Sequence, residues 1–196
     1  MALRLQELHP SLVHLPLALL PLAVASEIAG AMTGRQAFRD FGRQAITLAA
    51  AGAAASAVTG LVAGEEVNVE GRSRDMLMTH RNLNIAATLT AVAMAVWRRR
   101  REKPGAAYLA TGLAGIGIVS YTAYLGGELV YDYGVGVDPA KGVWRPEAPR
   151  LKRGQLRAFF RDTLRDVGHG LQHMGQELRQ GKIVPALRSR QATTPD

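Results

Sequence analysis

Three of the five histidines stand near the starts of two apolar segments, where their imidazoles could bind a metal. His9 and His14 lie at the first segment and His80 opens the third, while the chain has no cysteine. Cysteine-ligated clusters and thiolate zinc sites are therefore excluded, and any metal must use imidazole, carboxylate or carbonyl groups. Neutral imidazoles on facing helices coordinate haem iron along its axis. This pattern predicts haem b with His14 and His80 as axial ligands, and thus electron transfer.

The remaining polar residues of this group are assigned supporting roles. His9 and His14 are five residues apart, which is about 140° around a helix, so His9 is placed at the rim. The other rim or second-shell candidates are Asn84, Glu128 and Tyr131. Glu128 is expected either to pair with His80 or Arg81 or to be solvated. In the alternative interpretation, the histidines only satisfy local hydrogen bonds and have no ligand.

Four long stretches without Asp, Glu, Lys or Arg must position these residues. They are residues 8–26, 44–64, 82–97 and 104–127. Segments of this length and apolarity are typical of transmembrane helices. Short connections make consecutive helices antiparallel neighbours. We therefore predict an all-α fold, an up-down four-helix transmembrane bundle followed by a C-terminal amphipathic helix.

Small residues indicate how the predicted helices pack. In the second helix, Gly52, Ser56, Gly60 and Gly64 recur at every fourth position, which predicts a smooth face for close helix approach. The fourth helix has the same spacing at Ala106, Ala110 and Ala114. A cleaved signal peptide is the rival interpretation of the first segment, but two prolines and a histidine in its apolar region favour a retained span.

The charges of the loops predict the orientation of the chain. Loops 34–43 and 98–105 carry eight basic residues at high density, which favours the cytoplasmic side and leaves both termini outside. Glu27 lies within the first span, near the basic loop, so an ion pair with Arg35 or a neighbouring cation is expected. No nucleic-acid motif is present, and the lipid bilayer is the expected partner.

The basic tail contains a predicted amphipathic helix at about residues 155–180. Its apolar residues follow steps of three and four. The residues assigned to the membrane surface are Arg153, Arg157, Phe159, Phe160, Arg161 and Arg165. The helix is predicted to lie along a membrane surface or a partner's flank, with a self-associating coiled coil as the alternative.

A second set of possible metal ligands lies on the other face of the tail helix. Asp166, His169, His173 and Glu177 share that face at a spacing that permits zinc binding. A solvated polar face is the preferred interpretation, because nearby glycines loosen the helix.

Two motifs resemble those of a known bacterial family. The family's opening signature H-P-x-x-V-H-x-P is similar to residues 9–16, HPSLVHLP, and its closing signature G-G-x-L-V-Y-x-x-G-x-G-V is similar to residues 126–137, GGELVYDYGVGV. The family is domain of unknown function 2231, a group of predicted membrane proteins. The resemblance implies a four-span helical domain in a bacterial inner membrane, and relatives joined to Rieske-type domains imply a redox partner.

Glycines in the closing motif have a physical interpretation of their own. Gly126 and Gly127 would let a flat ligand or another backbone approach closely, so both are assigned to the haem site. No catalytic constellation is found. The alternative function is a non-catalytic subunit or scaffold of a larger membrane complex. The predicted divisions are a membrane domain at 1–137, a basic tail at 138–182 and a disordered end at 183–196.

Overall fold

The protein is predominantly helical in the computed structural model, which describes residues 3–136, 149–151 and 154–185. The helices are α1 (Leu5–Leu12), α2 (His14–Thr33), α3 (Gln36–Glu65), α4 (Gly71–Arg99), α5 (Ala106–Tyr131) and α6 (Leu156–Arg179). Two short strands, β1 (Leu3–Arg4) and β2 (Arg150–Leu151), pair antiparallel. The predicted helical class is confirmed. No sequence period could reveal the two-residue strand pair, which joins distant parts of the chain.

Three helical segments in the described chain are long and apolar enough to cross a membrane. They are Glu7–Thr33, which joins α1 and α2, Gln36–Glu65 and Ala106–Tyr131. The predicted third span became α4, which begins at Gly71 and carries Arg72, Arg74, Asp75 and Arg81 in its first half. These charges lower its apolarity below that of the other three helices. A membrane crossing by α4, which would bring the number of spans to four, stays a prediction. The antiparallel order of the helices also stays a prediction.

Contacts divide the chain into two compact units. The first unit comprises the chain up to Pro10, Val58–Leu83 and the chain from Tyr124 onward, and the second comprises Ser11–Ala57 and Asn84–Ala123. The division does not test the predicted domain boundaries. In the second unit, a hydrophobic cluster draws buried residues from α2, α3, α4 and α5. These four helices therefore share one apolar core within that unit.

Glycines allow close helix contacts in this core. A Cβ at Gly52 of α3 would lie 2.7 Å from the Cβ of Leu15, as the smooth face of α3 predicts. On α5 the contacting glycines are Gly112 and Gly115, and both are buried. Ala106, Ala110 and Ala114, which show the same small-residue spacing, lie on an exposed side of α5.

An ion pair is buried in the second unit. Glu27 of α2 is 0% exposed and Arg98 of α4 is 2% exposed, and the guanidinium donates to both carboxylate oxygens. Gly42 of α3 lies against this pair, because a Cβ there would be 2.7 Å from the Cγ of Glu27. The expected ion pair of Glu27 is present, but its partner is Arg98 and not Arg35. The partner comes from another helix 71 residues away.

We predict that Glu27→Gln lowers the free energy of unfolding by about 3–5 kcal/mol, because it leaves the Arg98 guanidinium buried without a counter-charge. The measurement is unfolding of the purified protein in detergent by heat or by denaturing surfactant. Glu102→Gln is the matched control, since Glu102 is exposed. Equal stability of the two variants would contradict the structural role of the pair.

Candidate functional site

Most of the polar residues selected from the sequence fall in the first unit. His9, His80, Glu128 and Tyr131 belong to it, whereas His14 and Asn84 belong to the second unit. The described residues include no group of three or more His, Cys, Asp or Glu arranged to hold a metal ion. The pairing of His14 with His80 around a haem stays a prediction, and the environment of each residue indicates its role.

His9 of α1 is half-buried against α3. Its Nδ1 lies 3.3 Å from the hydroxyl oxygen of Thr59. The ring also covers Gly60, where a Cβ would be only 2.7 Å from the imidazole Cε1. The ring therefore occupies the space that a side chain on α3 would need. His9 acts here as a packing residue with a polar contact.

His80 is half-buried and packs in a similar way against α5. A Cβ at Gly126 would lie 3.1 Å from the Cε1 of His80 and 3.9 Å from its Nε2. An axial haem ligand needs one ring nitrogen directed at the iron. In the structure, the Cε1–Nδ1 edge of the ring lies closest to α5, with Nδ1 3.6 Å from the same Cβ position. Gly127, the other glycine assigned to the haem site, has no neighbouring atom of the described residues within 4 Å of a Cβ position.

His14 and Asn84 have different surroundings in the second unit. His14 is exposed, and its Nδ1 lies 3.3 Å from the carbonyl oxygen of Ser11, within the same stretch of chain. Asn84 is half-buried, and its side-chain oxygen lies 3.2 Å from the hydroxyl of Thr122 on α5. The described contacts of both residues are consistent with local hydrogen bonding.

The end of α5 positions Glu128 and Tyr131. The Tyr124 hydroxyl, one turn earlier, donates to the Glu128 carboxylate. Tyr131 is 88% exposed, as expected for an aromatic side chain at a membrane interface. Arg81, one of the expected partners of Glu128, instead forms an ion pair with Glu177 of α6.

Helix α6 docks on the ends of α3 and α4 within the first unit. The Arg81–Glu177 pair is accompanied by a 3.1 Å contact between His173 Nδ1 and Glu65. Gly170 lies against Leu61, whose Cδ2 would be 3.3 Å from a Cβ at that glycine. Beyond the helix, the Asn82 amide donates to the carbonyl of Ile183 at 2.8 Å. Polar contacts therefore hold α6 on the domain.

This docking corrects the prediction of a solvated polar face. Asp166 is 0% exposed and lies beside Arg165, and Glu177 is 9% exposed beside Arg81. His173 contacts Glu65, while His169 is exposed. The prediction was wrong for the two carboxylates, which are buried, because this face of α6 is turned toward the rest of the unit and Glu177 pairs with α4 there. Helical spacing alone could not show a partner 96 residues away.

The residues assigned to the membrane surface occupy other sides of α6. Arg157, Phe160, Arg161 and Arg165 are exposed, and Phe159 is half-buried. The two phenyl rings form an edge-to-face contact with centroids 5.6 Å apart. Arg153 lies outside the described residues, as does the predicted disordered end from residue 186 onward.

Comparison with known protein families shows which family the chain belongs to. The model of a family described as Predicted membrane protein (DUF2231) matches residues 6–139. The chain belongs to this family. No curated protein and no solved structure matches the chain. DUF2231 membership and the three candidate spans make it a membrane protein, and the family match ends before α6 begins.

The contact between His9 and Gly60 predicts a stability cost for Gly60→Ala, because the added methyl would displace the imidazole ring. Gly64→Ala is the matched control on the same helix, since no atom lies within 4 Å of its Cβ position. The control should be neutral or gain up to about 1 kcal/mol from helix propensity. Unfolding in detergent measures both.

A double variant tests whether the ring causes this cost. In the double variant His9→Ala with Gly60→Ala, the methyl added at residue 60 has room. The loss of unfolding free energy in the double variant should therefore be smaller than the sum of the two single losses by about 0.5 kcal/mol or more. Strict additivity of the two single losses would show that the ring is not packed on Gly60.

The ion pair of α6 predicts that Glu177→Gln loosens the docked helix. A lost hydrogen bond between charged groups costs about 1.5 kcal/mol or more, which corresponds to about a tenfold change in an opening equilibrium. Hydrogen exchange of the amides in 156–179 should accelerate accordingly in the detergent-solubilised protein. Asp162→Asn is the control, because among the described residues the ion pairs of Asp162 are with arginines of α6 itself. Similar exchange in both variants would refute the docking contact.

Proposed function

We propose that the protein is a non-catalytic membrane subunit or scaffold that presents a rigid helical surface to a larger membrane complex. The observation that supports this proposal is the use of histidine as a packing residue. His9 covers Gly60 and His80 covers Gly126. A histidine that serves a reaction or a metal must direct a nitrogen at its substrate or ion. The Cε1–Nδ1 edges of these two rings pack on neighbouring helices.

The charged residues support the same proposal. Glu27 pairs with Arg98, Glu177 with Arg81, and Glu65 contacts His173. Each pair joins two different helices. Charges used in this way fix the register between helices, which suits a protein whose function is to present a defined surface.

The haem hypothesis is the alternative, with His14 and His80 as axial ligands and electron transfer to a redox partner. The described contacts give it less support than the scaffold role, because the His80 ring packs on Gly126 through its Cε1–Nδ1 edge. Bound haem would supply a one-electron couple.

We further propose that the protein lies in a bacterial plasma membrane with both termini on the non-cytoplasmic side. The support is the density of basic residues in loops 34–43 and 98–105. Arg98 is neutralised by Glu27, but Arg99, Arg100 and Arg101 remain exposed. These three cations still favour retention of their loop in the cytoplasm.

Purification from haem-replete cells followed by a reduced-minus-oxidised spectrum separates the two functions. The scaffold proposal predicts no haem absorption. It also predicts that His80→Ala costs about 1 kcal/mol of unfolding free energy through lost packing. His169→Ala is the control, because His169 is exposed on α6. Haem bound one-to-one and lost in His80→Ala would overturn the proposal.

The scaffold role also predicts a stoichiometric partner. The complex isolated under mild detergent conditions should have a larger mass by light scattering than the protein alone, with a fixed ratio of subunits. An isolated, homogeneous monomer under these conditions would argue against a role in a larger complex.

A further inference from the structure

Helix α6 directs a polar side toward the protein. Its buried residues, here called the docking sector, are Thr163, Asp166, Gly170 and Glu177. Gly170 lies on Leu61 of α3, and Glu177 pairs with Arg81 of α4. An amphipathic helix on a water-soluble protein normally buries its apolar side instead. The polar side of α6 is therefore already occupied by the protein.

Five large apolar residues of α6 are exposed. This apolar sector consists of Leu156, Phe160, Leu164, Leu171 and Leu178, with exposed fractions between 40% for Leu178 and 71% for Leu164. The sector extends along almost the whole helix. A continuous apolar strip of this kind marks contact with a membrane or with another protein.

The docking contact places α6 beside a membrane-spanning helix. Leu61, which contacts Gly170, is four residues before the end of α3 at Glu65. At 1.5 Å per residue, the contact lies about 6 Å from the helix end. If the candidate span Gln36–Glu65 crosses a membrane, α6 would lie near the interface at the end of that span. Interfacial helices bury their apolar side about 5–10 Å into the boundary between headgroups and acyl chains.

An arginine row borders the apolar sector on the side away from the docking sector. It consists of Arg157, Arg161 and Arg165, one residue per turn. The side chain of Arg161 is 76% exposed and that of Arg165 is 46% exposed. At about 100° per residue, the apolar sector lies between the docking sector and this row. Arginines in that position attract anionic headgroups by up to about 1 kcal/mol each, and by less at Arg161 and Arg165, which pair with aspartates of α6.

We propose that α6 is an interfacial membrane helix that its docking sector fixes to the domain. Its apolar sector is seated at the boundary between headgroups and acyl chains of an anionic bilayer, and its arginine row contacts the headgroups. Charge favours lipid over a second copy of the chain as the occupant. A two-fold contact through the apolar sector would bring two arginine rows to the same seam, where like charges repel.

The absence of cysteine from the sequence allows a site-specific test on the full chain. Leu164→Cys and Leu171→Cys each place a bimane label on the apolar sector. Gln176→Cys is the matched control, since Gln176 is exposed and lies about 120° around the helix from Leu164. Each labelled protein is placed in nanodiscs of phosphatidylcholine and phosphatidylglycerol. Acyl-chain doxyl lipids and aqueous iodide serve as the two quenchers.

The proposal predicts that doxyl lipid quenches both labels on the apolar sector about twofold or more relative to the control, as expected for side chains in the acyl boundary. Iodide should quench the control more strongly. Equal access of iodide to all three labels would overturn the proposal. Shielding from both quenchers would also overturn it. A disulfide-linked dimer of Leu164→Cys would then identify a second copy as the occupant. These outcomes do not depend on whether the protein is a scaffold.

Discussion

The ion pair between Glu27 and Arg98 is the constraint around which the second unit is arranged. Neither charge reaches water, so each depends on the other for its counter-charge. The pair therefore fixes the position of α2 against α4, since a shift of one turn would separate the two groups. Gly42 is part of the same constraint, because any larger residue on α3 would contact the carboxylate side chain. The apolar cluster of the four helices must therefore pack with α2 and α4 held at these relative positions.

Glycine has a related role in the first unit, where it accommodates imidazole rings instead of a carboxylate side chain. Gly60 faces His9 and Gly126 faces His80. A polar ring in a helix contact requires space and a nearby hydrogen-bonding group, and a glycine in the opposing helix provides the space. His9 belongs to the opening motif of the family and Gly126 to the closing motif. Each motif therefore contacts another helix through one of these two pairs. The histidines that suggested cofactor chemistry have a structural use, which explains why their residue type alone is ambiguous.

The local elements were predictable from the sequence, whereas the long-range pairings were not. Apolar runs identified three membrane-crossing helices, and the three–four spacing placed the tail helix at about 155–180, close to the observed Leu156–Arg179. Periodicity describes one segment at a time. It therefore could not select Arg98 over Arg35 for Glu27, or show that Glu177 meets Arg81. The same limit applies to the polar first half of α4. Its Arg81 contacts α6 and its Asn82 contacts Ile183 after α6, and periodicity could not show these contacts.

The boundary of the family match has an evolutionary consequence. The match ends at residue 139, yet the docking partners of α6 on α3 and α4 lie inside the matched region. In a relative without such a helix, Glu65, Arg81 and Asn82 would lose the contacts that they make here. These three positions should then vary freely in lineages that lack the helix and should co-vary with His173 and Glu177 in lineages that have it. The docking of α6 thus ties residues of the shared family region to a segment outside it.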